Sequence, residues 1–243
     1  MNTSVQSLAG KLRLNGIYQG SGKRIEQAIA ANLHPSEFLK LILEDEDLYR
    51  RNARAAAITK RAKFRTQCDL ENWDQTRPRG ITKSKLKDLA TASFYNRKEN
   101  LIILGPTGVG KTHLAIALGR ILCQKEITVS FSSVNILFEQ LQAEKAAGKY
   151  LMALTKIAKA QVLILDDFGL RNYTHNEAIS LLEILEERYN KGTVIVTSQV
   201  KPEGWRTLFE DSVISEAIID RLNNPSEIIV LEGESFRKIK KVD

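Results

Sequence analysis

The stretch Leu101–Gly119, LIILGPTGVGKTHLAIALG, limits what this chain can fold into more than any other feature. An apolar run reads as a buried strand, a glycine-rich turn follows, and a helix-forming run closes it. Gly105-Pro106-Thr107-Gly108-Val109-Gly110-Lys111-Thr112 matches the spacing G-x4-G-K-[ST], with His113 directly after it. The spacing has a mechanical cause. The glycines let the backbone curl so that its N–H groups point inward at phosphates, and the helix starting near Lys111 adds the positive end of its dipole. Lys111 reaches toward β- and γ-phosphates, and the Thr112 hydroxyl suits Mg²⁺. The expected ligand is therefore ATP with Mg²⁺.

A phosphate loop of this kind needs a parallel sheet around it, and the chain supplies one. Strand-like runs occur at LIILG, ITVSF (127–131), QVLILDD (161–167), TVIVTSQ (193–199) and EIIVL (227–231). Helical stretches lie between them at 111–124, 134–147, 176–190 and 212–222. Alternation of apolar strands with helices predicts an α/β fold whose parallel sheet is covered on both faces. The 243 residues suffice for one such core and a small extra module.

That module is expected at the amino end. Residues 1–75 read as helical, 76–98 as a basic linker and helix, and 99–243 as the nucleotide-binding domain. A helix starting at the Ser36 cap, after Pro35, places Phe38, Leu41, Ile42 and Leu48 near one face. Basic residues then crowd together. Arg50, Arg51, Arg54, Lys60 and Arg61, with Lys83, Lys85 and Lys87 in the linker, are the candidates for contact with a phosphate backbone. The net charge of +7 agrees with a polyanion partner. The competing reading is a solvated helix face.

Other classes are disfavoured. No run approaches ~18 consecutive apolar residues, so no membrane span is expected. The first residues lack the apolar core of a secretion signal, which makes the cytoplasm the expected compartment. Cys68 and Cys123 stand far apart, and the three histidines are scattered, so no zinc-type site is expected.

Three further motifs complete the nucleotide chemistry. VLILDD ends a strand on two carboxylates: Asp166 would hold Mg²⁺ and Asp167 would polarise the attacking water. VIVTSQ ends in Thr197, Ser198 and Gln199, any of which sits where it could bond the γ-phosphate or the water. Arg221 in IIDRL and Arg237 in GESFRK are candidates to stabilise charge on a transferring phosphoryl group.

Together ILGPTGVGKTHLAIALG, VLILDDFG, LLEILEERYNKGTVIVTSQ, IIDRL and GESFRK resemble the IstB/DnaC branch of the AAA+ ATPases. Within that branch the chain is most similar to IstB-type transposition helper ATPases of bacterial insertion sequences. The resemblance is dense from about residue 98 to 238 and looser before that. It implies an AAA+ P-loop (ASCE) sheet in which the Asp166 strand is not the sequence neighbour of the phosphate-loop strand. It implies a homo-oligomer with ATP between subunits and Arg221 as the arginine finger reaching the next subunit. Arg237 resembles the sensor 2 arginine, and Ser198 or Gln199 lies in the sensor 1 region. The implied partners are duplex DNA, which the assembly would deform, and a transposase. Most AAA+ proteins carry Asp-Glu where this chain has Asp166-Asp167. The shorter side chain fits slow hydrolysis used as a timer. The rival readings are a DnaC-like helicase loader, a small-molecule P-loop kinase and a nucleotide switch that does not hydrolyse.

Overall fold

The computed structural model describes residues 2–74 and 79–235. The chain divides into two compact units, Met1–Ala57 and Ile58–Asp243.

The first unit holds α1 (Asn2–Lys11), α2 (Asn15–Ala30) and most of α3 (Pro35–Ala62). Helix α3 opens on Pro35, one residue before the expected cap. Proline fits the first helical position because the N–H it lacks would be unpaired there anyway. The predicted apolar face is only partly right. Ile42 is buried, Phe38 and Leu41 are half-buried, but Leu48 is 53% exposed. A buried carboxylate does part of the packing instead. Glu46 accepts from the backbone N–H of Gly16 at 2.7 Å and of Ile17 at 3.2 Å, in the first turn of α2, where donors have no helical partner. Arg50 Nε donates to its other oxygen at 2.7 Å.

The second unit begins with the end of α3. Ala62, Cys68 and Trp73 are buried in its core, so residues 58–74 pack with the sheet unit. Next come α4 (Lys83–Thr91), α5 (Ser93–Asn96), β1 (Asn100–Leu104), α6 (Lys111–Gln124), β2 (Val129–Ser133), α7 (Val134–Ala146) and α8 (Tyr150–Ala158). The chain continues through β3 (Val162–Phe168), α9 (His175–Arg188), β4 (Thr193–Ser198), α10 (Ser212–Asn223) and β5 (Ser226–Val230). All five expected strands form, and α8 is an element the sequence reading lacks. It follows a break at Gly148 and is rich in Leu and Met with no caps to announce it.

The strands are all parallel, in the order β2-β3-β4-β1-β5. Strand β4 thus lies between the phosphate-loop strand and the strand that ends on the two aspartates. Side chains alternate across the sheet with period two. Leu101, Ile103, Val162, Ile164 and Ile195 face the layer built on α6 and on residues 62–73. Ile102, Leu104, Leu163, Leu165, Val194 and Val196 face the layer of α7, α9 and α10. The strands read as continuous apolar runs because both faces are covered.

Candidate nucleotide site

The site gathers at the carboxyl ends of β1, β3 and β4. Leaving β1, the chain turns through Gly105, Gly108 and Gly110, whose φ angles are 149°, 82° and 105°. Such angles suit glycine. At Gly105 a side chain is also excluded by space, because a Cβ would stand 2.3 Å from the Leu231 carbonyl oxygen. Val109 is anchored in the core, while Pro106 and Thr107 are exposed. Lys111 is buried at the head of α6, and its Nζ donates to the carbonyls of Gly105 at 2.8 Å and Pro106 at 2.9 Å. The ammonium is therefore held inside the loop that it is expected to share with phosphate. His113 turns elsewhere. Its Nε2 lies 3.2 Å from the Asp69 carbonyl, and its ring meets the edge of Trp73 with centroids 5.6 Å apart.

Period two carries Asp166 to the same face of the sheet as α6. There its Oδ1 accepts from Thr112 Oγ1 at 2.8 Å and from Thr197 Oγ1 at 2.7 Å. Asp166 is fully buried. Burial pushes its carboxyl above the usual aspartate range, and the neighbouring Asp167 adds to this. The Thr197 and Thr112 hydroxyls and the Arg65 guanidinium act in the other direction. The pairing of β3 with β4 shifts register between Leu165 and Phe168, and Asp167 takes a φ of 61°. This irregularity lets the second carboxylate stay at the open end of the strand, where it is 28% exposed. The Thr197 hydroxyl also accepts from the Asp167 N–H at 3.0 Å.

Among the three polar residues that end β4, Thr197 is the one joined to the carboxylates. Ser198, expected in the nucleotide site, points to the opposite face and is buried. Its hydroxyl donates to the Phe168 carbonyl at 2.7 Å and accepts from the Val200 N–H at 3.0 Å. Gln199 is exposed. Counting by two from Ile195 picks out Thr197, but only once β4 is known to lie beside β3. Arg237 lies outside the described residues.

One residue at the site carries no expectation of this kind. Arg65, just beyond the end of α3, places Nη2 2.7 Å from Asp166 Oδ2 and 3.1 Å from Thr112 Oγ1. Its Nη1 is 3.6 Å from Asp167 Oδ2. Nothing in the local sequence around Arg65 signals this.

Arg221 sits at the other end of the sheet. The Asn100 side chain, at the start of β1, donates to the carbonyls of Arg221 at 2.8 Å and Leu222 at 3.1 Å. The Arg221 guanidinium pairs with Glu186 and lies over the Tyr189 ring, 5.8 Å from its centroid. The five residues of β1 separate this point from the phosphate loop, about 16 Å at ~3.3 Å per residue.

The candidate backbone-contact residues differ in what already holds them. Arg50 is paired with buried Glu46, and Arg51 with Asp47 at 3.0 Å. Lys85, expected to face a phosphate backbone, is instead bound to Glu227 of β5 and lies 3.4 Å from Asp88. Arg54, Lys60, Arg61, Lys83 and Lys87 are exposed. Arg61 and Lys63 line a groove with Glu144 and Lys149 and with Lys156 of α8, a grouping that sequence spacing does not reveal.

Hard oxygen donors suit Mg²⁺, and the spacing of two of them fits. Oxygens at 2.0–2.1 Å around an octahedral ion lie about 2.9 Å apart, close to the 2.8 Å between Thr112 Oγ1 and Asp166 Oδ1. No cluster of three or more His, Cys, Asp or Glu that could hold a metal occurs among the described residues. No helix among them is long and apolar enough to cross a membrane.

Comparison with known proteins agrees with a nucleotide ligand. The family model described as IstB-like ATP binding protein matches residues 7–243. The protein y4pL of Sinorhizobium fredii, named for ATP binding in an insertion sequence, is 34% identical over 93% of this chain and 92% of its own. The ATP-binding protein named for insertion sequence IS21 of Pseudomonas aeruginosa is 33% identical over 98% of this chain and 89% of its own. Among solved structures, the DnaC helicase loader is similar with a TM-score of 0.51 and 26% identity, covering 65% of this chain and 94% of that one.

Proposed function

The chain belongs to the IstB-like ATP-binding family, with an AAA+ fold, and from that premise we propose an ATPase that assembles on duplex DNA and serves a partner transposase. The observation that carries this reading is the separation of Arg221 from its own phosphate loop by the length of β1. An arginine at the amino ends of the strands is badly placed for the nucleotide of its own subunit and well placed at a seam between copies. The γ-phosphate then decides whether the seam is closed, because Arg221 meets different charge before and after hydrolysis.

Each residue has a role in this scheme. The loop amides from Gly105 to Thr112 and the Lys111 ammonium bind the phosphates. Thr112 and Asp166 would hold Mg²⁺, which supplies charge neutralisation at the phosphate oxygens when bound. Thr197 locks the Asp166 carboxylate through one hydroxyl and the Asp167 backbone through the other side of the same oxygen. Asp167 accepts the proton of the attacking water as its oxygen bonds to the γ-phosphorus and the bond to the leaving ADP breaks. Its short side chain fits a turnover below ~10 s⁻¹, the middle of the enzyme range.

Phosphate contacts with DNA fall on Arg54, Lys60, Arg61, Lys83 and Lys87, joined by Lys156 of α8. Arg51 can exchange its exposed partner for a phosphate at little cost. Arg50 is less available, because leaving would strand the buried Glu46. Binding should be tolerant of sequence and steeply salt-dependent. Repetition along an oligomer adds avidity, which offsets roughly 1–6 kcal/mol for bending a 20–30 bp site. The insertion-sequence relatives are 34% and 33% identical to this chain, and the helicase loader 26%. This favours transposition over helicase loading.

Electron microscopy with duplex DNA tests the proposal. Assemblies should form with ATP or a non-hydrolysable analogue and disperse with ADP. Arg221→Ala should bind nucleotide yet stay small. A wild-type protein that remains a single particle with both ligands present defeats it.

A further inference from the structure

We infer that Arg65 is a built-in counter-ion for the metal carboxylates, one that Mg²⁺ must displace each time the site is loaded. This rests on the reading of Thr112, Asp166 and Asp167 as the Mg²⁺–ATP site. Arg65 lies within 3.1 Å of the Thr112 hydroxyl and 2.7 Å of Asp166 Oδ2, and 3.6 Å from Asp167. Its guanidinium thus stands beside the two side chains that would share the metal. A fixed positive charge and a divalent cation repel strongly at such range, and both draw on the same carboxylate.

The local build separates an anchor from a moving part. Helix α3 ends at Ala62, which is buried, and Lys63 turns the chain with a φ of 58°. Phe64 is seated against Gly119 of α6, where a Cβ would stand 2.9 Å from its ring, and 6.0 Å from Phe131 between centroids. The backbone is pinned by that ring. The Arg65 side chain beyond it is 43% exposed and passes over Phe131, 6.0 Å from its centroid. Solvent therefore offers the guanidinium a way out without moving Phe64. Asp166 has no such freedom, being fully buried and held by two hydroxyls. Displacement must consequently move the arginine. When products leave, the guanidinium returns, and the buried carboxylate is not left beside Asp167 without a cation.

The test uses the full chain and a fluorescent ATP analogue, titrated with MgCl₂ for the wild type, Arg65→Ala and Arg65→Lys. Loss of the competitor should lower the Mg²⁺ concentration for half-maximal binding by roughly 5- to 50-fold in Arg65→Ala. Arg65→Lys should fall between. Metal-free binding of the analogue should change much less. A second readout separates displacement from simple packing: the melting temperature of Arg65→Ala should be below wild type without ligand, and the gap should close with Mg²⁺ and analogue. An unchanged or raised Mg²⁺ requirement in folded Arg65→Ala overturns the inference. So does a melting gap that persists in the loaded state, or loss of analogue binding with and without metal, which would make Arg65 a phosphate ligand. If Arg65→Ala does not fold, Arg65→Gln carries the same expectations. A wild type that binds no analogue at any Mg²⁺ concentration sinks the nucleotide-site reading itself.

Discussion

The two ends of the central sheet put arginine to opposite uses. At the carboxyl ends, two carboxylates, two threonine hydroxyls and Arg65 crowd around one point, and Lys111 is held by the phosphate loop. At the amino ends, Arg188 is 2% exposed, and its partners among the described residues are carbonyl oxygens. It donates to Ala158 at 3.1 Å, Gln161 at 3.2 Å and Thr193 at 2.7 Å, and also to Ala160. Burial alone lowers its pKa to about 10. It ties together the starts of β3 and β4. Arg221, on the same rim, has a carboxylate partner on α9 and remains 24% exposed. One rim therefore gathers two carboxylates beside a half-exposed arginine, while the other combines an enclosed arginine with a partly exposed one. Exposure and partner, more than residue type, separate the arginines here.

The largest effect expected is at the far rim. Arg221→Ala should cut DNA-stimulated ATP turnover by about 10³-fold or more while the affinity of isolated subunits for ATP stays near wild type. Intact turnover in that variant would collapse the distinction between the rims. Next, Asp167→Asn should reduce turnover by roughly 10²-fold or more without weakening nucleotide binding, as steady-state rates and analogue titration can show.

Smaller effects concern stability. Asn100→Ala removes two donors from α10 carbonyls and one acceptor from the Val194 N–H, 2.8 Å away. It should cost about 1–3 kcal/mol in denaturant unfolding, since buried partners are left unpaired. Asp166→Asn should do the reverse. The folded-state pKa of Asp166 lies above the ordinary aspartate value, chiefly through burial. Such a group binds its proton more tightly when folded, so stability falls as pH rises from the ordinary value through the folded one, and the charge is a net cost at pH 7. The asparagine variant should melt a few degrees higher than wild type at pH 7 without metal, lose that advantage in acid, and gain no Mg²⁺-dependent nucleotide affinity. A lower melting temperature at pH 7 would mean that the Arg65 pairing outweighs burial.

The sheet unit was legible and the helical unit much less so, for a physical reason. Strands β1, β3 and β4 are local apolar runs, and the phosphate loop is eight consecutive residues, so period and spacing suffice. On α3, the sequence separates Lys60 from Arg50 and Arg51 only by distance from the acidic block. The pairing of Glu46 with Arg50 and with the first turn of α2 requires a second helix to be in place. The same holds for Lys85, whose partner Glu227 is far away in sequence.

From its sequence alone the chain settles that it binds nucleotide phosphate, that it builds a parallel sheet, and which runs become strands. These depend on contiguous residues, and backbone geometry allows few other outcomes. Tertiary structure decided which side chains share a point. Only the insertion of β4 between β1 and β3 brings Thr197 to Asp166 in place of Ser198, and only the packing of residues 62–73 on α6 brings Arg65 there. It also sent Arg221 to the opposite rim. Such neighbours are set by long-range strand order and by competition among charges for partners, and no local pattern in a one-dimensional chain encodes either.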